Sequence, residues 1–332
     1  MQQCVDCGTP IGFHWPTLQF VAAPVEGVEI DGRLWKRCVN WSWDCNWLAP
    51  DDSFSDQCFA CLLTRRKPDA SDTIAREMMA ETSVTKRRLL VQLFSLGLPV
   101  TPYYEREGGL AFDLLLSSPD NPVMTGHANG VITIDLAEGL DLHRERLRIK
   151  LGEPYRTMLG HFRHEVAHYY QGVLLDTDEL WEECRALFGD ERASYSDAIA
   201  RHYATGAPDG WEASFISEYA TMHPWEDFAE TFAHYLHITG TLHTAALAGM
   251  MLDSSRTDGQ IPQDVVPDLS YRDLGLEEML ADWRWLSLFF NRINRAMGHR
   301  DLYPFELVDP VIDKLGFVHR VVTRAGVQNL AV

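Results

Sequence analysis

His164-Glu165-Val166-Ala167-His168 stands in a segment from about Pro154 to Gly172 whose pattern predicts a helix, with Pro154 suited to its first turn. Residues four apart share one helix face, so both imidazoles can address one ion, with Glu165 beside it. A zinc held by three protein ligands keeps a fourth position for water, lowers that water's pKa towards neutrality and polarises a carbonyl, while a nearby carboxylate takes the proton. The chemistry implied is amide hydrolysis without a protein nucleophile. Five residues alone arise by chance in roughly 3% of such sequences, and two hydrogen-bonded histidines on a half-buried helix are the plain alternative.

The third ligand sets the subclass. In H-E-x-x-H-x-x-G-x-x-H, positions 171 and 174 would be Gly and His, but the chain has Gln171 and Leu174, which excludes that pattern. The next candidate is Pro224-Trp-Glu226-Asp-Phe-Ala-Glu230, where two carboxylates lie one turn apart on a helix expected from Pro224 to His237. Glu226 is assigned to the zinc. Glu230 is placed behind it, where a carboxylate can orient a histidine ligand through its other N–H; an exposed acidic face is the alternative. His161, three residues before His164, can replace Glu226 as a ligand or hydrogen-bond behind the site. His234 and His237 are expected to be packed rather than to form a second centre.

The cysteines point to a separate metal module. Six of the seven fall between Cys4 and Cys61, with two C-x-x-C pairs. In a reducing compartment that spacing favours metal thiolates over disulfides. Cys38, Cys45, Cys58 and Cys61 would close one structural tetrahedral site; Cys4 and Cys7 with Cys58 and Cys61 would form a two-knuckle ribbon instead. Cys184 stands apart and is expected to be a buried free thiol.

With 332 residues and 46% hydrophobic composition the chain can bury a large core. Its net charge is -19, and residues 1–100 hold 10 Lys/Arg against 12 Asp/Glu, leaving 19 against 36 beyond. Such a surface repels phosphates, so no nucleic-acid partner is expected. The run Lys86-Arg87-Arg88 reads as a solvated helix face rather than a basic binding patch. There is no apolar run of membrane-spanning length and no signal-peptide pattern after Met1, so a cytoplasmic protein without a membrane partner is expected.

Outside the motifs, the first 68 residues suit short strands and turns. Lys86 to Gly97 predicts a helix, Leu110–Leu116 and Val131–Leu136 predict strands, the second entered through Asn129-Gly130, and Leu276–Met297 predicts a core helix. Residues 253–270, rich in Asp, read as a long loop. By fold analogy, Val131–Leu136 is a candidate edge strand for an extended peptide.

Tyr219-Ala-Thr-Met-His-Pro-Trp-Glu226-Asp-Phe-Ala-Glu230 resembles the corresponding stretch of the anthrax lethal factor type of Glu-liganded zincin. There a Tyr precedes the zinc-binding Glu by seven residues and a second Glu follows it by four. The resemblance implies that Tyr219 donates to the oxyanion of the tetrahedral intermediate and that Glu226 binds zinc. His223, also just before the Glu helix, is the other oxyanion candidate. Nearly the whole chain is similar to a bacterial family of uncharacterised zinc-binding metallopeptidases with an N-terminal zinc ribbon. That likeness is carried by Cys58-Phe-Ala-Cys61, Gly109-Leu-Ala-Phe-Asp113, Gly152-Glu-Pro-Tyr-Arg-Thr157, Gly160-His-Phe-Arg-His-Glu165 and His223-Pro-Trp-Glu-Asp227. Many members carry a further C-x-x-C pair before the equivalents of Cys4 and Cys7, which implies a second ribbon site. Only three residues precede Cys4 here, so either a degenerate first site or a longer natural start is expected.

The expected fold is α+β: a zinc-ribbon-like module over residues 1–68, a zincin-like catalytic domain over 72–250, mostly helical with a small sheet, and a C-terminal helical subdomain over 271–332. The expected cofactors are one catalytic zinc and at least one structural zinc. The expected activity is hydrolysis of a peptide or protein substrate, with Glu165 as general base. A non-catalytic zinc-binding interaction protein with a vestigial site is the alternative, and a nucleic-acid-associated protease a more distant one.

Overall fold

The computed structural model describes residues 2–139 and 157–330. Pro154 and most of the 152–157 stretch lie outside them. The described chain is α+β, with small sheets towards the N-terminus and helices dominating after Met158. It divides into two compact units: one takes the N-terminal part together with helix residues up to Glu165, the other continues from Val166.

The first unit begins with a hairpin, β1 (Ile11–His14) against β2 (Gln19–Ala22), and an antiparallel sheet of β3 (Val28–Ile30), β4 (Arg33–Arg37) and β5 (Leu48–Pro50). Ala23, Trp35 and Leu48 form its buried core, with Trp15, Val21, Val28, Ile30 and Trp41 packed around them. Phe13, Trp47, Ala49, Ala60 and Leu63 are buried in the same stretch of chain. After β5 come the short helix α1 (Phe59–Leu62), β6 (Thr64–Arg66) and the long helix α2 (Thr73–Ser95).

Helix α2 starts thirteen residues before the expected Lys86. Its start is set by Asp72, whose carboxylate accepts from the Ala75 N–H at 2.9 Å. The first half of α2 is too polar to show an apolar stripe, but Ala75, Glu77, Met78, Met79, Ala80 and Glu81 are good helix formers. The basic run on α2 also departs from expectation. Arg88 is exposed, but Lys86 is 1% exposed and Arg87 is buried as well. The Lys86 ammonium donates to Thr64 Oγ1 and lies 5.4 Å from the Phe112 ring, while Arg87 donates to the Asp44 carbonyl at 2.8 Å. Two of the three charges therefore anchor α2 within its unit instead of facing solvent.

A four-stranded sheet follows in the order β6-β7-β9-β8, with β7 (Ala111–Leu115) parallel to both β6 and β9 (Val131–Asp135), and β8 (Gly126–Ala128) antiparallel to β9. Strand β9 is therefore interior, and the expected edge role of Val131–Leu136 falls to β8. The two are joined by a two-residue turn in which Asn129 and Gly130 both have positive φ, 47° and 80°. Gly130 is required twice over, because a Cβ there would lie 2.3 Å from the Gly108 carbonyl oxygen. A groove of 650 Å³ runs beside β8, lined in part by Arg65, Tyr103, Met124, Thr125 and His127.

Helix α3 (Met158–Leu174) carries the His-Glu-Val-Ala-His segment. Its opening turns are held in the first unit. Phe162 packs on Phe112 with ring centroids 5.7 Å apart, and the Arg163 guanidinium donates to Gln92 Oε1 at 2.8 and 3.1 Å.

The second unit adds α4 (Asp178–Phe188), α5 (Tyr195–Thr205), α6 (Pro224–Leu247), α7 (Leu276–Ala296) and α8 (Asp309–Leu330). Helix α6 is its centre, with Phe228, Phe232, Leu236 and Leu242 fully buried. It runs ten residues past the expected His237, because Ile238, Leu242 and Ala245 continue its buried face. Tyr170 of α3 stacks on Phe232 at 5.7 Å, and Phe188 meets both Phe228 and Phe317. Helix α7 matches its expected span to within a residue. Residues 253–270 carry a 3-10 turn, Ser254–Arg256, and an isolated antiparallel bridge from Val265 to Leu252. Among the described residues no helix is long and apolar enough to cross a membrane.

Candidate metal centres

Four cysteines converge in the first unit. Cys38 follows β4, Cys45 precedes β5, Cys58 caps α1 and Cys61 lies within it. Their sulfurs approach one another at 3.5 to 3.7 Å, and Cys58 N–H donates to Cys38 Sγ at 3.3 Å. A tetrahedral ion with Zn–S bonds near 2.3 Å places its sulfurs about 3.8 Å apart, so these four thiols fit zinc with little adjustment. Cys4 and Cys7 stand outside the cluster, and the exposed Cys7 donates to Thr9 Oγ1 at 3.1 Å. The two-knuckle alternative is therefore not the grouping found. Cys184 is buried, takes a hydrogen bond from Gln171 and is pushed up to about 12 by burial, as befits an inert thiol.

The second donor set comprises His164 and His168, one turn apart on α3, and Glu226 in the first turn of α6. Their candidate ligand atoms all lie within 4.8 Å of one another. His168 Nε2 and Glu226 Oε2 are 3.4 Å apart, close to the roughly 3.3 Å edge that ligands 2.0–2.1 Å from a tetrahedral zinc would span. Two imidazoles and one carboxylate are a donor set zinc accepts, and His168, Glu226 and Glu165 are all buried.

Local sequence explains the position of Glu226. Pro224 opens α6 with a preset φ, and Glu226 and Asp227 sit where the helix dipole favours negative charge. His223 is the N-cap: its Nδ1 accepts from the Trp225 N–H at 3.1 Å, and its Nε2–H donates to the Ala193 carbonyl at 3.1 Å. Both ring nitrogens are thus committed, so His223 has no N–H to offer an oxyanion. Asp227 points away to Lys314, whose ammonium donates to Asp227 Oδ2 at 2.6 Å and to the Ser214 carbonyl. Burial pushes the Asp227 carboxyl up and the Lys314 charge opposes it.

Glu230 accepts from Ser217 Oγ at 2.7 Å, and Ser217 Oγ accepts the Ala220 N–H at 3.1 Å. Glu230 thereby steadies the 3-10 turn Tyr219–Thr221, which carries Tyr219 into the start of α6. His161 is not among the grouped donors. Its Nδ1 lies 2.5 Å from Glu138 Oε2, and Glu138 also accepts from Thr125 just before β8. His234 is buried against Tyr303, its Nδ1 2.7 Å from the phenol oxygen. His237 is buried on the same helix, so both follow the packed reading.

Sequence reasoning missed Tyr195. Its hydroxyl donates to Glu226 Oε1 at 2.8 Å across 31 residues of chain, and no motif spacing signals it. The available clue was local: Ser194 caps α5 by accepting the Asp197 N–H, which marks Tyr195 as a first-turn residue.

A four-cysteine cluster ahead of a two-helix His-His-Glu set is the outline of a zinc-binding protein with an N-terminal ribbon. The chain belongs to the family described as "Putative zinc-binding metallo-peptidase", which matches residues 75–321, and residues 1–72 match a zinc-ribbon domain. Uncharacterized proteins of Mycobacterium tuberculosis (strain ATCC 25618 / H37Rv) and Mycobacterium bovis (strain ATCC BAA-935 / AF2122/97) are each 44% identical over 322 residues, covering 96% of this chain and 90% of the relative. No solved structure matches.

Proposed function

We propose that the chain is a zinc-dependent peptidase in which His164, His168 and Glu226 hold the catalytic ion and Glu165 is the general base. The observation that carries this reading is the convergence of those three donors within 4.8 Å beside a buried glutamate. Zinc, when bound, supplies a Lewis acid that polarises the scissile carbonyl and makes a water acidic near neutral pH. Glu165 takes the proton of the attacking water and passes it to the leaving amine. Tyr219, on the turn steadied by Ser217 and Glu230, donates its O–H to the oxyanion. An extended peptide pairs with β8, the outer strand of the four described, and runs along the groove beside it. Cys38, Cys45, Cys58 and Cys61 hold a separate structural zinc.

The acidic surface favours a peptide or protein substrate over nucleic acid, and the clustered free thiols suit a reducing cytoplasm. The test is Glu165→Gln, assayed for zinc content and for cleavage of a broad peptide library. The expected variant keeps its zinc and cleaves nothing that the parent cleaves. A zinc-loaded Glu165→Gln protein that still hydrolyses those peptides would overturn the mechanism.

A further inference from the structure

The two oxygens of Glu226 face different partners. Oε2 lies 3.4 Å from His168 Nε2, and Oε1 accepts the Tyr195 hydroxyl at 2.8 Å. Tyr195 is held for this contact from both sides. Its ring stands edge-on to His223 at 5.3 Å and to Trp225 at 6.0 Å, and His223 fixes the backbone two residues earlier through the Ala193 carbonyl. Trp225 in turn stands edge-on to His168 at 4.6 Å. Tyr195 is 36% exposed while Glu226 is 2% exposed, so the phenol is the wet side of a dry carboxylate.

We infer that Tyr195 is a positioning residue that restricts Glu226 to ligation through Oε2 alone. The inference rests on the His164, His168 and Glu226 reading above. A carboxylate with both oxygens free can chelate an ion, and with two imidazoles that would supply four donor atoms, the full complement of a tetrahedral site. With Oε1 held by a phenol O–H, the protein supplies three, and one position stays open for water or a substrate carbonyl. Tyr195 touches no reacting atom; it acts through Glu226.

The experiment uses the full chain with zinc on the cysteines and one equivalent of cobalt(II) as the probe of the second site. Tyr195→Phe keeps the ring against His223 and Trp225 but removes the donor. The expected result is a roughly tenfold weaker affinity for cobalt, as Glu226 loses the hydrogen bond that orients it, and a shift of the visible bands, as its Oε1 takes the position that water held. In a Glu226→Ala background the same Tyr195→Phe change should move neither reading. Unchanged affinity and bands in Tyr195→Phe would overturn the inference and leave the three-ligand site standing. An equal loss in the Glu226→Ala background would also overturn it, since Tyr195 would then act through packing. A parent protein that takes up cobalt equally well after His164→Ala would overturn the site reading and this inference together.

Discussion

Ser217 Oγ donates to Glu230 Oε2 at 2.7 Å while accepting the Ala220 N–H, so one hydroxyl joins the turn bearing Tyr219 to the helix bearing Glu226. Removing it leaves a half-buried carboxylate short of a donor and a buried backbone N–H short of an acceptor. Ser217→Ala is expected to cost about 2 kcal/mol of stability in a denaturant titration. Peptide turnover should fall with zinc content unchanged, because the hydroxyl holds Tyr219 and not the ion.

Lys314 and Asp227 form a pair with side chains 6% and 1% exposed. Lys314→Met strands a buried carboxylate and is expected to destabilise the protein by about 4 kcal/mol, whereas the double change Lys314→Met with Asp227→Asn should recover most of that loss. Denaturation midpoints of the three proteins measure the difference. A single variant as stable as the parent would show that the pair contributes nothing.

The two candidate metal centres should empty independently. Cys45→Ala is expected to lower zinc content by about one ion per chain and to open the N-terminal module to protease, since the four cysteines tie β4, β5 and α1 together through the metal. His164→Ala should also lower zinc content, with the N-terminal module still resistant. Metal analysis and limited proteolysis of both variants separate the sites.

Burial lowers His234 to about 4 from an ordinary value of 6.5, with only Glu230 pulling the other way. A histidine kept neutral in the folded state leaves stability unaffected above pH 6.5. Below that the unfolded chain gains a proton the folded one refuses, so stability is lost as pH falls through 4. The shift corresponds to about 3 kcal/mol over that window. His234→Gln should flatten the dependence of the unfolding midpoint between pH 6.5 and 4, measured against the parent in the same buffers.

Much of this was legible in the residues. The C-x-x-C pair and its outlying cysteines predict the cluster that forms, because a metal site repeats in sequence whatever the strands around it do. Helices α6 and α7 declare themselves through Pro224 and a strong apolar stripe. Other features left no such trace. The first half of α2 lacks a stripe, and the burial of Lys86 and Arg87 depends on Thr64 and Asp44, distant partners that no local pattern names. An isolated strand sequence does not tell whether its backbone edges are paired, so β9 read as an edge when β8 holds that place. His223 looked like a catalytic donor because its type and position fit. Only its neighbours reveal that both ring nitrogens are occupied.

The sequence by itself determined the donor types and their local spacing: two histidines one helical turn apart, a glutamate in the first turn of a second helix, and four cysteines near one end. Covalent geometry and the 3.6-residue helical period make those relations independent of the rest of the fold. Only the tertiary structure decided which groups meet them. That Tyr195 rather than a residue near in sequence grips Glu226, and that the second ring nitrogen of His223 is taken by the Ala193 carbonyl, follow from packing the start of α5 against the start of α6. Contacts between distant segments are fixed when the chain buries its apolar faces together, and that burial is a property of the whole fold rather than of any motif within it.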